Sequence, residues 1–573
     1  MNYNPKNPVI VQSDRSILLE TDNPFYEEAR DALAQFAELV KSPEHFHTYR
    51  ITPLSLWNAA SAGLSADEII EQLLKFSKYE VPQNIIQDIR DYVSRYGRLR
   101  LFKRQEDDNL VLYSEDAALI AEISRHKTVA PFLIQPLDKN SLLVKGENRG
   151  LIKQALIKLG FPVEDLAGFT DGTPISIALR STTLSGRPFA LRAYQQTAVD
   201  IFCHVPADKG GGSGVFVLPC GAGKTVISIG AIAAISQSTL ILCTNITALR
   251  QWRDELLDKT TIEPDMIGEY SGEAKQIRPI TLTTYQILTY RKSKDGEFVH
   301  MDIFQRENWG LIIYDEVHLL PAPVFRAVAD IQAKRRLGLT ATLVREDGKE
   351  DDVFSLIGPK RYDVPWKVLE KQGWIATAEC TEIRVPLPED KRMEYAVADV
   401  KAKFRIASEN PAKFAVVRTL LQKHQDDNVL IIGQYLTQLN ELQRELKAPI
   451  ITGKTPNAER EEIYAKFKRG EIKVLIVSKV ANFAIDLPDA NVAIQISGTF
   501  GSRQEEAQRL GRILRPKAEG NQAHFYSIIT KDTKDQDFAA NRQIFLTEQG
   551  YRYEIKILDD LEASPEEALA AIS

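Results

Sequence analysis

The chain has 573 residues, of which 44% are hydrophobic, and its formal net charge is −6 at pH 7. This length suggests about four domains, and no apolar run approaches the roughly 20 residues that a membrane span requires. The polar N-terminus predicts no signal peptide, and the four cysteines lack the C-x-x-C spacing of a zinc site, so a reducing cytosol is expected. Because basic groups often concentrate in one groove, the net charge excludes no nucleic-acid partner.

The first hundred residues are predicted to be mostly helical. Ser65-Ala-Asp-Glu68 has the form of a capping box, and apolar residues follow it at helical spacing. Pro82 interrupts this pattern, and a second amphipathic stretch follows it. Two short helices ahead of Arg98-Leu-Arg-Leu-Phe102 fit either a helix-turn-helix with a wing or a small protein-docking domain, and the second alternative is favoured.

Residues 108–186 combine strand and helix patterns. Leu110–Tyr113 and Ser141–Lys145 are predicted strands, and Gly150–Leu159 is a predicted helix that ends at a following glycine and proline. This indicates a separate small α/β module without a catalytic motif.

From Arg187 onward, short runs rich in β-branched residues alternate with helical stretches. Such alternation is typical of βαβ units, whose strands are buried in a parallel sheet. The runs form two series, 215–218, 239–242, 280–283, 311–314 and 336–339, then 429–432, 474–477, 492–495 and 525–529. The fold class is therefore α/β, with two doubly wound parallel-sheet lobes divided near residues 366–377.

A phosphate-binding loop with the sequence Cys-Gly-Ala-Gly-Lys-Thr is predicted between the first strand of this series and a helix. Gly221 and Gly223, on either side of Ala222, let backbone N–H groups approach phosphate oxygens, and the helix N-terminus adds partial positive charge. Lys224 is predicted to bind the β- and γ-phosphates of ATP, and the Thr225 hydroxyl to bind Mg²⁺.

An acidic motif, Asp315-Glu-Val-His318, follows the predicted strand 311–314. Open α/β sheets bind ligands at the carboxyl ends of their strands. Asp315 is therefore predicted to hold Mg²⁺, and Glu316 to polarise the attacking water. An exposed acidic turn is the alternative, but the phosphate loop upstream in the same lobe favours the catalytic assignment.

Arg192-Ala-Tyr-Gln-Gln196 precedes the phosphate loop. Gln195 is predicted to bind the edge of the adenine, with Arg192 packing nearby. The alternative is the start of a surface helix.

The stretch Gln508-Arg-Leu-Gly-Arg-Ile-Leu-Arg515 carries three arginines. In a helix, Gln508, Arg512 and Arg515 share one face. This predicts an arginine finger for the γ-phosphate, and a solvated basic face is the alternative. Such a finger accelerates hydrolysis by about 10³- to 10⁵-fold, which would make ATP turnover depend on closure of the lobes.

These motifs occur in the order of a superfamily 2 helicase, and the chain resembles the XPB helicases closely from about residue 187 to 555. The stretches that carry the closer resemblance are Leu218–Lys224, Leu337–Asp347, Ile494–Ser497 and Arg542–Gly550. The first 186 residues more weakly resemble the XPB N-terminal and damage-recognition-like regions. The resemblance implies two RecA-like lobes preceded by a small mostly helical domain and a small mixed α/β domain.

The resemblance also implies a DNA-dependent ATPase with 3′-to-5′ polarity that opens or translocates on DNA in nucleotide excision repair. It assigns a nucleotide-binding role to Asp486 and a short thumb to residues 388–413, where basic residues with Tyr395 and Phe404 would grip a phosphate backbone. The residues to which it gives coupling or unwinding roles are His318, Thr340, Thr342 and the motif Arg345, Glu346 and Asp347.

Contacts to the DNA backbone are expected from polar and cationic side chains near the ends of strands. The candidates in the first lobe are Thr244, Arg250 and a predicted loop of Thr283, Thr284 and Tyr285, and those in the second lobe are Gln434, Thr452 and Ser478. Each of the hydroxyl residues is also suited simply to cap or turn the chain.

The predicted domains are 1–107, 108–186, 187–372 and 373–557, followed by an acidic tail at 558–573. The expected cofactors are ATP and Mg²⁺, and the expected partners are DNA and a repair nuclease, with no membrane. The expected location is the cytoplasm and nucleoid of a bacterium or archaeon. The alternatives are an RNA-dependent ATPase, a restriction-type motor subunit, and a nucleotide-dependent scaffold that recruits a repair nuclease and unwinds weakly.

Overall fold

A computed structural model describes most of the chain. The described residues are 3–42, 45–204, 211–219, 221–293, 296–332, 334–341, 350–364, 366–372, 374, 376–478, 490–498, 522–548, 551 and 553–558. They form two compact units. The first comprises Met1–Glu38, Thr48–Leu218 and Gly223–Asp363, and the second comprises Leu39–His47, Pro219–Ala222 and Val364–Ser573, each within the described ranges.

The N-terminal region contains four helices and a sheet in the order β1-β2-β4-β3. The predicted capping box is present, because the Ser65 side chain accepts from the Glu68 N–H and the Glu68 side chain accepts from the Ser65 N–H. The sheet was not predicted, since its strands are only three to five residues long. The elements are β1 (Val9–Val11), β2 (Ser16–Glu20), α1 (Tyr26–Leu33), β3 (Glu38–Lys41), β4 (Phe46–Arg50), α2 (Pro53–Ser61), α3 (Ala66–Phe76) and α4 (Gln83–Arg95).

A five-stranded sheet follows, in the order β7-β8-β6-β5-β9, with two helices on one face. The stretch predicted as a possible wing is strand β5 of this sheet and pairs antiparallel with β6. The predicted boundary between residues 107 and 108 falls inside this hairpin. The elements are β5 (Leu99–Lys103), β6 (Leu110–Tyr113), α5 (Ala117–Arg125), β7 (Leu133–Asp138), β8 (Ser141–Val144), α6 (Arg149–Lys158) and β9 (Val163–Asp165).

The first lobe contains a seven-stranded sheet in the order β12-β13-β11-β14-β15-β10-β16, and every pairing in it is parallel. All five strands predicted for this lobe are present, and β12 and β16 are added at the edges. The elements are α7 (Ala193–Cys203), β10 (Ser213–Val217), α8 (Lys224–Ile235), β11 (Thr239–Cys243), α9 (Ile246–Lys259), β12 (Ile267–Tyr270), β13 (Ile280–Thr284), α10 (Tyr285–Leu288), β14 (Leu311–Tyr314), α11 (Ala322–Asp330), β15 (Arg335–Thr340), α12 (Glu350–Asp352) and β16 (Lys360–Asp363).

The second lobe repeats this architecture with a parallel sheet in the order β19-β20-β18-β21-β22-β17-β23. The four predicted strands are present, so two parallel-sheet lobes are confirmed. The elements are α13 (Trp366–Lys371), β17 (Thr377–Val385), α14 (Glu389–Val397), α15 (Val400–Ser408), α16 (Ala412–Lys423), β18 (Val429–Gly433), α17 (Leu436–Leu446), β19 (Ile450–Ile451), α18 (Asn457–Lys468), β20 (Val474–Ser478), β21 (Val492–Gln495), β22 (Gln522–Thr530), α19 (Lys534–Glu548) and β23 (Tyr553–Ile557).

Both N-terminal regions pack against one short segment of the first lobe. A single π-helical turn, Val353–Ile357, follows α12, and π-turns of this kind are frequent at functional sites. Phe354 of this turn packs with Trp57 of α2 and Ile157 of α6. The Asn58 side chain accepts a hydrogen bond from the Lys360 N–H at 3.0 Å. Both regions that precede the first lobe therefore contact this segment of it, through α2 and α6.

The parallel sheets determine where the functional residues lie. Strands β14, β15 and β10 are neighbours in the first lobe, and parallel strands end at the same edge of a sheet. The residues that follow these three strands are therefore brought together. Among the described helices, none is both long and apolar enough to cross a membrane.

Candidate nucleotide and DNA site

The phosphate loop has the backbone geometry that its glycines predict. Gly221 has φ of 85° and Gly223 has φ of 79°, a left-handed conformation that side chains other than glycine rarely adopt. Helix α8 begins at Lys224, directly after Gly223. The loop is thus followed by a helix N-terminus, whose partial positive charge is suited to an anion. Thr225, half-buried, lies in the first turn of this helix.

Lys224 and Glu316 form an ion pair in the first lobe. The Lys224 Nζ lies 2.8 Å from the Glu316 Oε1, and both side chains are largely shielded from solvent, with 11% and 17% of their surface exposed. The phosphate loop and the acidic motif, predicted separately to bind and hydrolyse ATP, are therefore in direct contact. The roles of these residues in binding and hydrolysing ATP stay predictions.

Asp315 is held by two groups that the sequence analysis did not assign to this site. The Trp252 indole N–H donates to the Asp315 Oδ2 at 3.0 Å, and the Tyr285 hydroxyl donates to the Asp315 backbone carbonyl at 2.8 Å. Burial and then the charge of Glu316 raise the pKa of Asp315, Lys224 and Trp252 oppose the shift, and the pKa that results is about 6. Two carboxylates thus share one ammonium group, which leaves excess negative charge in the site.

Glu316 has a strained backbone and leads to His318 and Thr340. Its φ of 50° places a residue with a large side chain in the left-handed region, which is uncommon outside functional sites. The His318 Nδ1 lies 2.8 Å from the Thr340 hydroxyl oxygen and 3.5 Å from the Glu316 Oε2. The Thr340 carbonyl accepts from the N–H of Leu218, just before the phosphate loop. These contacts join the acidic motif to the end of β15.

Gln195 lies beside the phosphate loop. Its side-chain Oε1 accepts from the Arg192 backbone N–H at 2.9 Å, and it is almost completely buried. A Cβ built on Gly223 would lie 2.6 Å from the Gln195 Nε2, so a side chain at position 223 would displace this amide. The Arg192 guanidinium donates to the Tyr194 hydroxyl at 3.3 Å. The contact of Gln195 and Arg192 with adenine stays a prediction.

The DNA-contact candidates of the first lobe differ in exposure. Arg250 is exposed and pairs with Glu273 at 2.7 Å, and the Thr244 hydroxyl accepts from the Asn245 side chain at 2.9 Å. Thr283 and Thr284, predicted to lie in a loop, are buried residues of β13, because this strand continues to Thr284. Tyr285 begins α10 and is also buried. Because these three side chains are buried inside the lobe, they are not exposed to a DNA strand.

In the second lobe, the Gln434 N–H donates to the Ser497 hydroxyl at 2.8 Å, which connects the ends of β18 and β21. Ser478 is buried at the end of β20. The Thr452 N–H donates to the Thr455 hydroxyl. The DNA contacts of these residues also stay predictions.

The predicted thumb is a pair of helices, α14 and α15. Phe404 is not available to a DNA strand, because it is buried against Phe538 with ring centroids 4.9 Å apart. Lys413 is likewise buried, and its Nζ lies 2.6 Å from the Asp535 Oδ2. Phe404 thus lies on the buried side of α15, and Lys413 lies beyond this helix pair, in the first turn of α16. Tyr395 remains partly exposed, and its hydroxyl accepts from the Lys534 N–H.

Several predicted site residues lie outside the described residues, and their roles stay predictions. They are Thr342, Arg345, Glu346, Asp347, Asp486, Gln508, Arg512 and Arg515. Within the described ranges, no group of three or more His, Cys, Asp or Glu side chains is arranged to hold a metal ion by itself.

Three family models match the chain. Residues 369–571 match the ERCC3/RAD25/XPB C-terminal helicase, residues 188–345 match the res subunit of type III restriction enzymes, and residues 9–138 match a helicase conserved C-terminal domain.

Curated relatives match over nearly the whole length. The chain is 54% identical to the DNA 3′-5′ helicase XPB of Mycobacterium tuberculosis, over 97% of this chain and 98% of the relative. It is 53% identical to the protein of the same name from Kineococcus radiotolerans, over 98% of each chain. It is 35% identical to the helicase/translocase subunit XPB of the general transcription and DNA repair factor IIH of Enterocytozoon bieneusi, over 95% of this chain and 92% of the relative.

A solved structure with the same fold is the ATP-dependent Type ISP restriction-modification enzyme LlaBIII bound to DNA. It matches with a TM-score of 0.50 and 13% identity, over 68% of this chain and 33% of that chain. This likeness concerns the fold of the lobes.

Proposed function

The chain belongs to the XPB family of DNA 3′-5′ helicases, and we propose that it couples Mg-ATP hydrolysis to the opening of DNA, or to translocation on it, during nucleotide excision repair. The observation that carries the proposed chemistry is the contact of 2.8 Å between Lys224 at the phosphate loop and Glu316 of the acidic motif. This ion pair supports the proposal that Lys224, as the phosphate-binding cation, and Glu316, as the general base, act on the same reacting group.

The residues present fit Mg-ATP. The site has two carboxylates and one ammonium group, and a divalent cation would neutralise the remaining negative charge. When bound, ATP supplies the phosphoanhydride bond whose hydrolysis drives the enzyme, and Mg²⁺ neutralises charge on the phosphates. We assign Thr225 and Asp315 to Mg²⁺, and Gly221, Ala222, Gly223 and Lys224 to the phosphates.

In this assignment Glu316 orients the attacking water and accepts its proton. Trp252 fixes the orientation of the Asp315 carboxylate through its indole N–H, and Lys224 holds Glu316 until the phosphates compete for its ammonium group. Pre-positioned groups of this kind lower the barrier because they need little reorganisation in the transition state.

We propose that the contact between His318 and Thr340 transmits the state of this site along β15. Glu316, His318 and Thr340 form a continuous chain of contacts, and the motif of Arg345, Glu346 and Asp347 follows Thr340 by only a few residues. A shift of Glu316 would thus displace His318 and Thr340, and through them the segment with Arg345, Glu346 and Asp347, which the family resemblance connects with unwinding.

The DNA is expected to run along the carboxyl edges of the sheets. Thr244 and Arg250 follow β11 in the first lobe, and Gln434 and Ser478 lie at the ends of β18 and β20 in the second. Such contacts with the backbone of a strand are independent of sequence. Binding to the chromosome would place the protein at the nucleoid, and a repair nuclease is the partner that the excision pathway would require.

We expect DNA to stimulate ATP hydrolysis more strongly than RNA does. Steady-state hydrolysis should be measured with no polymer, single-stranded DNA, forked duplex and single-stranded RNA of the same sequence, with Mg²⁺ and then with excess chelator. DNA-dependent turnover that is lost on chelation is the expected result. Equal or greater stimulation by RNA would overturn the DNA assignment, and absence of turnover with every polymer would favour a scaffolding role.

A further inference from the structure

A group of cations and aromatic rings lies at the β12 edge of the first lobe. Strand β12 is the outermost strand of the sheet and ends at Tyr270, whose ring is buried. The Lys275 Nζ lies 5.1 Å from the centroid of this ring, and the Arg306 guanidinium carbon lies 5.7 Å from it. Both cations are themselves exposed to solvent. Lys275 and Arg306 thus both lie at the surface beside the ring of Tyr270.

His300 and Tyr290 extend this group outward. The His300 Nδ1 lies 2.8 Å from the Tyr270 hydroxyl, and the His300 and Tyr290 ring centroids are 6.1 Å apart. Half of the surface of Tyr290 is exposed, at 52%. The pKa of His300 is lowered by burial and then by the charges of Lys275 and Arg306, while Asp302 opposes the shift. Lys275 and Arg306 are therefore close enough to His300 for their charges to act on it.

The hairpin after Tyr290 adds further positive charge. Arg291 and Phe298 form an antiparallel bridge, and the Arg291 guanidinium carbon lies 3.9 Å from the Phe298 ring centroid. The exposed cations of the described residues in 270–278 and 290–306 are Lys275, Arg278, Arg291, Lys292 and Arg306, and the acids there are Glu273, Glu297 and Asp302. On a protein whose net charge is −6, this is a local excess of cations around an exposed ring.

The position of this surface relates it to the proposed function. Its residues follow the carboxyl ends of β12 and β13, the same edge of the sheet at which β11 and β14 end. The Tyr290 N–H donates to Ile287 of α10, and α10 begins at Tyr285, which bonds to the Asp315 carbonyl. A ligand at Tyr290 would therefore be one short helix away from the acidic motif.

We propose that Tyr290, with Lys275, Arg291 and Arg306, forms a binding surface for single-stranded nucleic acid. In it, the exposed ring of Tyr290 stacks on an unpaired base, and the three cations contact phosphates. Aromatic stacking combined with backbone charge contacts is the usual mode of single-strand binding without sequence preference, and a paired duplex would not offer a base to the ring. The surface deepens the proposed function and rests on it.

Tyr290→Ala is expected to weaken binding of single-stranded DNA by about 5- to 150-fold, because each stacked base contributes about 1–3 kcal/mol. Affinity is measured by fluorescence anisotropy with a labelled oligonucleotide and with a blunt duplex of the same length. Tyr290→Phe should retain the affinity of the wild type, since the ring remains. The matched control is Tyr79→Ala, because Tyr79 is equally exposed, at 51%, and also lies beside a second ring.

Lys275→Ala should decrease the slope of log K against log salt for the oligonucleotide by about 0.7, the value for one lost phosphate contact on a single strand. Lys139→Ala, which alters another exposed lysine, should leave this slope unchanged. The surface is refuted if the wild type binds DNA, Tyr290→Ala binds it as tightly as Tyr79→Ala does, and Lys275→Ala keeps the salt dependence of the wild type. In that case the proposed function still stands. If the wild type neither binds DNA nor responds to it in hydrolysis, the proposed function itself fails.

Discussion

Lys224→Ala is expected to lower the ATPase kcat/KM by at least about 100-fold, the effect of removing one well-placed charge-stabilising group. The Lys224 ammonium contacts Glu316 directly, at 2.8 Å, and its charge also acts on the neighbouring carboxylate of Asp315. The substitution would remove a phosphate contact and leave two neighbouring carboxylates without their counter-charge. Both nucleotide affinity and turnover should therefore fall, as measured by nucleotide titration and steady-state hydrolysis.

Lys334→Ala is the matched control for this substitution. Lys334 lies in the same lobe, directly before β15, and its Nζ donates to the Asn308 side chain. This is the amino end of the strand, at the edge of the sheet opposite the phosphate loop, so hydrolysis should be unchanged. Thermal unfolding of both variants shows whether the lobe remains folded. Wild-type turnover by a folded Lys224→Ala protein would refute the assignment of this loop to ATP.

Arg512→Ala is expected to slow ATP hydrolysis by about 10³-fold or more while nucleotide binding persists. Arg512 lies outside the described residues, and its role is inferred from the sequence. A guanidinium that acts on the charge of the transition state contributes to kcat and much less to the affinity of the ground state. A loss of 10³-fold corresponds to about 4 kcal/mol of barrier. Single-turnover hydrolysis and nucleotide titration together separate the two effects.

Arg509→Ala provides the control within the same stretch. In a helix, Arg509 points about 100° away from Gln508, about 60° from Arg512 and about 120° from Arg515, so it lies beside the face that these three residues share. Its loss should change hydrolysis only slightly. Equal losses in the two variants would indicate a basic surface instead of an arginine finger, and a parallel loss of nucleotide binding in Arg512→Ala would indicate a binding role.

The buried parallel strands were predictable because their sequences are nearly continuous aliphatic runs. Leu311–Tyr314 and Val429–Gly433 are buried along their whole length, and such strands can be recognised without any tertiary information. Edge strands such as β12 and β23 carry mixed residues and become strands through pairing with a neighbour. The strands of the N-terminal sheet escaped prediction because they are only three to five residues long.

The loop and the acidic motif were predictable because local sequence determines their backbone and charge. Trp252 and Tyr285 were not assigned to Asp315, since both contacts join residues distant in sequence and depend on how α9 and α10 pack beside β14. The signal for Trp252 was its place on the apolar face of α9 with Leu249 and Leu256. That face predicts burial, but it does not predict a partner for the indole N–H.

The candidate nucleotide and DNA residues of the first lobe follow different strands at one edge of its sheet. The candidate nucleotide residues follow β10, β14 and β15, and the candidate DNA residues lie at or after the ends of β11, β13 and β12. Tyr285 directly follows β13 and is one of the candidate DNA residues. It nevertheless contacts the acidic motif, because its hydroxyl donates a hydrogen bond to the Asp315 carbonyl. This single hydrogen bond is a short physical connection through which binding of a strand would act on hydrolysis.

The most direct test of an ATP-driven DNA helicase is strand displacement on forked duplexes that carry either a 3′ or a 5′ single-stranded tail. Release of a labelled strand should be followed with ATP, with a non-hydrolysable analogue and with the Lys224→Ala variant. The expected result is ATP-dependent displacement that requires the 3′ tail and is absent in the variant. ATP turnover without displacement on either fork would contradict the helicase assignment and leave a nucleotide-dependent recruitment role.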